Sequence, residues 1–241
     1  MIFYYVRHGE PIYDPDCLTE TGHKQAKALV KRFSEYGLDE VYASTSTRAM
    51  QTAQPTCDAL KKEMILLPWA NEGRAWELFT VPKNDGGRTW SFAHDETISN
   101  FRKEQVSRLG KKWYEHELFA DTTLKEGVKT VDKNCDEFFE SLGYRHDREN
   151  NCYICLGENK KRVALFAHQG FGMAFFSSVL DIPYPVFATT FDMQHSGVSV
   201  IYFNDKAKEG DVVHPKLLQL SNDSHLFSEG VYRDYHNWIK L

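Results

Sequence analysis

The 241-residue sequence contains no apolar stretch long enough to span a bilayer, so no transmembrane helix is expected. The run from Met1 to Val6 is short. It lacks a basic leader, a long apolar centre and a small-residue cleavage site, which argues against a secretory signal. Low-complexity tracts and internal repeats are absent too, which sets aside solenoid and linker-rich architectures. Basic charge is in short supply: a formal net charge of -5 does not suit a general nucleic-acid binder. It leaves room for an anionic small molecule, because a few arginines can invert the field inside a cleft. The cysteines, Cys17, Cys57, Cys135, Cys152 and Cys155, are odd in number and scattered. Cys152 and Cys155 form a lone C-x-x-C with no second ligand pair at zinc spacing, so two thiols beside a strand is the favoured reading. A reducing cytoplasm fits that usage.

What is present is an alternation of strand and helix signals. Residues 2–6 read as a buried strand. Thr19 reads as an N-cap opening a helix with Ala26, Leu29, Val30 and Phe33 on one face and Gly37 as its stop. A short strand at 40–43 precedes a helix from about Ser46, and Pro55 inside that helix is expected to kink it or end it early. The next strand is 64–67. From about 70 to 127 the pattern changes to a hairpin around residues 84–87 and aromatic-rich polar helices, read as an insertion, or cap, over the main sheet. A helix with Val128, Val131, Cys135, Phe138, Phe139 and Leu142 on one face ends at Gly143. Strands near 152–156 and 162–167 follow, then a helix from Gly170 to about Leu180. Strands near 197–203 and 216–220 and an aromatic C-terminal segment complete the chain. The expected architecture is one α/β domain over 1–241: a three-layer sandwich, a mostly parallel central sheet with helices on both faces.

Ligands of such sheets bind beyond the carboxyl ends of the strands. Those ends carry Arg7 and His8, then Ser44 with Arg48 one turn into the next helix, then Asn71 and Glu72, then His168. Phosphoryl transfer calls for these types. Its transition state spreads negative charge over equatorial oxygens, and the protein acts by positioning and charge stabilisation. Arg7 and Arg48 offer planar forks for phosphate oxygens, and His168 a further hydrogen bond. Helix N-termini after Ser44 and His168 add backbone N–H groups. His8 must attack as a neutral imidazole, and the two guanidinium charges are expected to lower its pKa. Glu72 is the candidate general acid for the leaving alkoxide and base for the water that follows. Glu77 is the alternative. Gly9 removes a side chain where the chain turns beside the substrate.

The blocks Arg7-His8-Gly9-Glu10, Leu18-Thr19-Glu20-Thr21-Gly22-His23-Lys24-Gln25-Ala26 and the S-T-S-T-R-A-M-Q-T-A run from Ser44 to Ala53 resemble the histidine phosphatase superfamily, in its phosphoglycerate-mutase-like branch. The resemblance spans residues 2 to about 203, with 73–127 outside it. It matches the family's second histidine to His168 and its acid to Glu72 in Trp69-Ala70-Asn71-Glu72. It implies a phosphatase that needs no cofactor or metal and takes a small phosphorylated substrate, with no nucleic-acid or membrane partner. Longer members carry an extended loop after R-H-G-E. Here Pro11-Ile12-Tyr13-Asp14 leads quickly to Leu18, which favours hydrolysis over the mutase alternative. His195, before Ser196-Gly197, falls near the implied phosphate pocket and is read as either a substrate contact or a structural histidine. The oligomeric state is left open, a homodimer included.

Other readings compete with these. Trp69, Trp76, Trp90 and Phe92 could line a pocket, but core beneath the insertion is favoured for each. Arg74 and Arg88 are expected at the surface. His94-Asp95 and His146-Asp147 could serve a metal-dependent phosphohydrolase, but both pairs fall in polar, loop-like sequence. A binding module with the fold but no turnover is the non-enzymatic alternative.

Overall fold

In the computed structural model, which describes residues 1–233, a six-stranded sheet lies between two layers of helices. Its strands are β1 (Ile2–Arg7), β2 (Glu40–Ser44), β3 (Met64–Leu67), β4 (Arg162–Ala167), β5 (Val198–Tyr202) and β6 (Lys216–Asn222), in the order β6-β5-β1-β4-β2-β3. The pairs β1/β4, β4/β2 and β2/β3 are parallel. Pairs β1/β5 and β5/β6 are antiparallel, so the mostly parallel sheet carries an antiparallel edge. The aromatic C-terminal segment beyond residue 233 lies outside the described residues.

Alternation along the buried strands divides two cores. One face sends Phe3, Tyr5, Val163, Leu165 and Ile201 against α4 (Leu124–Ser141) and α5 (Gln169–Val179). The other sends Val6, Val41, Ala43, Ala164 and Phe166 against α1 (Glu20–Ser34) and α2 (Thr47–Leu60). The helix α3 (Glu72–Phe79) and the segment to Phe119 join the first core through Leu78, Phe79, Phe101, Trp113 and Phe119. The expected hairpin is there, Thr80–Pro82 paired with Arg88–Trp90.

The strand ends are in register, and this positions everything that follows. Arg7 pairs with Ala167, Phe166 with Ala43, and Ser44 with Leu67. The residues next in sequence after β1, β4, β2 and β3 therefore emerge side by side on one edge.

Two expectations are corrected. The α2 helix runs unbroken through Pro55 to Leu60 and stops only at Lys61, which adopts a left-handed φ of 53°. Thr52, Ala53, Thr56 and Cys57 are buried on both sides of the proline, and that packing holds the two halves in line. His146-Asp147 is no loop: Tyr144–Asp147 is a strand of a small separate sheet with Cys152–Cys155 and Val212–Val213. Cys152 and Cys155 sit three residues apart on one strand. An extended chain separates them by about 10 Å, too far for a disulfide between them.

Candidate active site

His8 follows β1, and its backbone is pinned on both sides. Its N–H donates to Ala167 O at 2.9 Å and its carbonyl accepts from Ser196 N at 3.0 Å. The ring Nδ1 is 2.7 Å from Gly9 O. A carbonyl can only accept, so Nδ1 carries the proton and Nε2 keeps its lone pair. The ring is buried. Burial pushes its pKa well below the usual value, and His168 and Arg7 add to the effect. The guanidinium effect expected from the sequence is therefore present but secondary to desolvation.

The R-H-G-E turn packs against the start of α1 through two glycines. A Cβ on Gly9 would lie 2.7 Å from Gly22 O, and one on Gly22 would lie 2.2 Å from Glu10 O. Thr19 caps α1 by accepting from Gly22 N at 3.0 Å and donates to Glu10 Oε1 at 2.8 Å. The second sequence block thus exists to support the first.

His168 is the N-cap of α5, its ring centroid 5.2 Å from that of His8. Its Nε2 bonds Ser44 Oγ at 2.8 Å, and Nδ1 has no hydrogen-bond partner but lies 3.6 Å from Glu72 Oε2. Burial lowers its pKa well below the usual value, with Arg48 and Arg7 adding to this. Arg48 enters from the first turn of α2. It donates to Asp16 Oδ1 and to Glu72 Oε2, each at 2.7 Å, while its Nε is buried without a hydrogen-bond partner. Glu72 opens α3, whose N-cap Asn71 accepts from Gly73 N at 2.9 Å. Glu72 Oε1 accepts from Gly170 N, in the first turn of α5, at 3.1 Å. Arg7 is buried, donating to Met193 O and, at 2.9 Å, to His195 Nε2.

Arg7, His8, Arg48 and Glu72 line one cavity of about 630 Å³, and the buried His168 abuts it through Glu72. Glu77 is not brought in. Five residues beyond Glu72 on a helix, it is rotated well off the same face, and it is exposed. His195 is buried with its ring centroid 5.7 Å from that of His8. Its Nε2 accepts from Arg7, and the ring does not line the cavity, so its contact with the site runs through the Arg7 guanidinium.

Other residues lining the cavity were missed or misjudged from sequence. Asp16 accepts from Thr47 N at 2.8 Å as well as from Arg48, and so occupies the N-terminus of α2. Tyr13 lies with its ring centroid 5.3 Å from the Arg48 guanidinium. The only cue for either was position, directly after R-H-G-E. Trp76 and Trp90 line the cavity, against the expectation of core, whereas Trp69 packs on Phe138 and Phe171 as expected. Phe92 stacks on Trp90. Of the metal-type dipeptides, His94 bonds Thr97 Oγ1 at 2.9 Å and His146 is held between Asp136 and Asp181, both away from this cavity.

No curated protein matches the sequence significantly. Several solved structures match its fold. A phosphoserine phosphatase from Entamoeba histolytica in complex with 3-phosphoglyceric acid has 18% identity and a TM-score of 0.57, covering 93% of this chain and 98% of that one. A mycobacterial glucosyl-3-phosphoglycerate phosphatase with inorganic phosphate has 16% identity and a TM-score of 0.58, with the same coverage of 93% and 98%. An α-ribazole phosphatase from Shigella flexneri has 17% identity and a TM-score of 0.57, covering 92% and 96%. Residues 3–214 match the family model of the histidine phosphatase superfamily, branch 1, and the chain belongs to that superfamily.

Proposed function

We propose that this protein is a metal-independent phosphatase that hydrolyses a phosphate monoester through a phosphohistidine on His8. The observation that carries the reading is the 2.7 Å contact of His8 Nδ1 with Gly9 O, which assigns the ring proton to Nδ1 and leaves Nε2 as a neutral nucleophile beside Arg7 and Arg48. The phosphatase names of the fold neighbours point the same way.

In the proposed reaction His8 Nε2 attacks phosphorus as the ester P–O bond breaks, and Arg7, Arg48 and His168 hold the non-bridging oxygens. A phosphate at Arg48 competes with Glu72 for that guanidinium and so releases the carboxyl group towards the ester oxygen. Glu72, carrying a proton in the substrate complex, gives it to the departing alkoxide, then takes one back from the water that attacks phosphorus and breaks the P–N bond. Hydrolysis is favoured over mutase transfer because the chain after Glu10 is only a small hairpin, Pro11–Ile12 with Cys17–Leu18. The aromatic segment around Trp76 and Trp90 acts as the lid that selects the substrate. A cytoplasmic location belongs to the proposal. Among the described residues, no helix is long and apolar enough to cross a membrane.

His8, Glu72 and His168 offer ligand atoms within 4.8 Å of one another, a spacing that could also hold a cation. The guanidinium groups of Arg7 and Arg48 beside them oppose one and favour an anion. The deciding experiment is turnover of an aryl phosphate with and without EDTA, together with trapping of an acid-labile phosphoenzyme. Turnover is expected to survive EDTA, and His8→Ala is expected to lose both turnover and label. Undiminished turnover in His8→Ala would refute the reading.

A further inference from the structure

The alcohol half of the substrate leaves past Glu72, and the surroundings of Glu72 are aromatic. Trp76 is four residues beyond it on α3, one turn along the same helix face. Trp90 packs onto the N-terminal turn of α5. A Cβ on Gly170 would sit 2.3 Å from its ring, and the Gly170 N–H is the one that holds Glu72 Oε1. Trp76 and Trp90 meet edge to face at 5.0 Å, with Phe92 stacked behind Trp90 at 5.5 Å. Tyr13 adds a third ring to the lining. Trp76 and Tyr13 are 38% and 55% exposed, more than aromatic side chains engaged only in core packing would be.

Charge in the cavity limits the alcohol from the other side. Among the described residues, Arg7 and Arg48 are the only Lys or Arg side chains lining it, and the phosphoryl group needs both. Asp16 adds a carboxylate to the same lining, beside the Glu72 carboxyl group that serves as the acid. With a phosphate dianion bound, a second anionic group on the substrate finds no cation of its own and the Asp16 charge nearby. A flat ring finds the rings of Trp76, Trp90 and Tyr13 to pack against, each such contact being worth about 1 kcal/mol.

We propose that the cavity selects phosphate monoesters whose alcohol carries a flat aromatic ring and no second negative charge. The inference rests on the phosphatase reading and narrows its substrate class. The test compares kcat/KM on ethyl phosphate, benzyl phosphate and 3-phosphoglycerate. Ethanol and benzyl alcohol are primary alcohols of similar acidity, so leaving-group chemistry does not separate the first two. Benzyl phosphate is expected to exceed ethyl phosphate by about tenfold, and 3-phosphoglycerate to fall at or below ethyl phosphate. Trp76→Ala should bring the benzyl-to-ethyl ratio down towards unity, and Trp76→Phe should keep most of it. Equal rates on the two alkyl esters, a ratio unmoved by Trp76→Ala, or a preference for 3-phosphoglycerate over benzyl phosphate would each overturn the inference while leaving phosphatase activity in place. Hydrolysis of none of the three would overturn the phosphatase reading as well.

Discussion

Glu72 and Arg48 are joined at 2.7 Å across the cavity, and the other oxygen of the same carboxylate takes the Gly170 N–H. One side chain thus ties α2, α3 and α5 together. Glu72→Gln preserves size and a hydrogen-bond acceptor but cannot deliver a proton. Phosphoenzyme formation on alkyl phosphates is expected to slow by roughly 10²- to 10⁴-fold. The loss on p-nitrophenyl phosphate, whose leaving group needs little protonation, should be much smaller. Rapid-quench measurement on both substrates checks this, and equal losses would remove Glu72 from the acid role.

Asp16 places its carboxylate on two donors that an incoming phosphate could use, the Arg48 guanidinium and the Thr47 N–H at the start of α2. It therefore competes with the ligand and repels it. Asp16→Asn removes the negative charge from a helix N-terminus, an interaction typically worth 0.3–1 kcal/mol. Inhibition by inorganic phosphate should tighten, by roughly two- to fivefold on that scale. A weaker phosphate inhibition constant in Asp16→Asn would instead make Asp16 a support that holds Arg48 in place.

Much of the site could be read from the sequence because strand and chemistry are adjacent in the chain. Ile2–Arg7 and Arg162–Ala167 are almost wholly apolar, so their ends are sharp, and His8 and His168 come next. Thr19 is a cap whose bond reaches only three residues ahead, which is why the start of α1 was legible. What escaped depends on distant partners. Pro55 is tolerated because α2 is packed along its length, and His146 lies on a strand whose ion partners come from α4 and from Asp181. The place of Trp90 in the cavity wall is set by Gly170, about eighty residues further on, and no local pattern records it.

Gly22 makes a specific demand on the packing. A methyl group there would meet the Glu10 carbonyl at 2.2 Å, and the obstacle is backbone with little freedom to move. Overpacking of this kind costs about 1–3 kcal/mol, so Gly22→Ala should lower Tm by roughly 3–10 °C. Because Gly9 and Glu10 directly follow His8, kcat should fall in the same variant. Thermal unfolding and a single-substrate assay test both parts. An unchanged Tm would mean that the turn and α1 can separate at no cost.

Stability should fall as pH drops below neutrality, and the cause can be traced to buried neutral histidines. His225 bonds Ser196 Oγ at 2.7 Å, and burial, reinforced by Arg32, lowers its pKa to about 4. The unfolded chain takes up that proton near pH 6.5, but the folded chain resists until about 4. Its contribution is therefore complete above pH 6.5 and is lost between 6.5 and 4, to a limit on the order of 3 kcal/mol. His8 and His168, lowered in the same direction, steepen the fall. His146 works in the opposite sense. Burial disfavours its charge, but Asp136 at 3.0 Å and Asp181 at 2.9 Å outweigh burial and raise its pKa. That contribution is present below pH 6.5 and fades as pH rises through the raised value. Urea unfolding across pH 4 to 9 should show His225→Gln with a shallower acid slope than the parent. His146→Gln should lose more stability at pH 6 than at pH 8.5. If His146→Gln lost the same amount at both, the ring would be neutral between its two carboxylates and the charged pairing would be wrong.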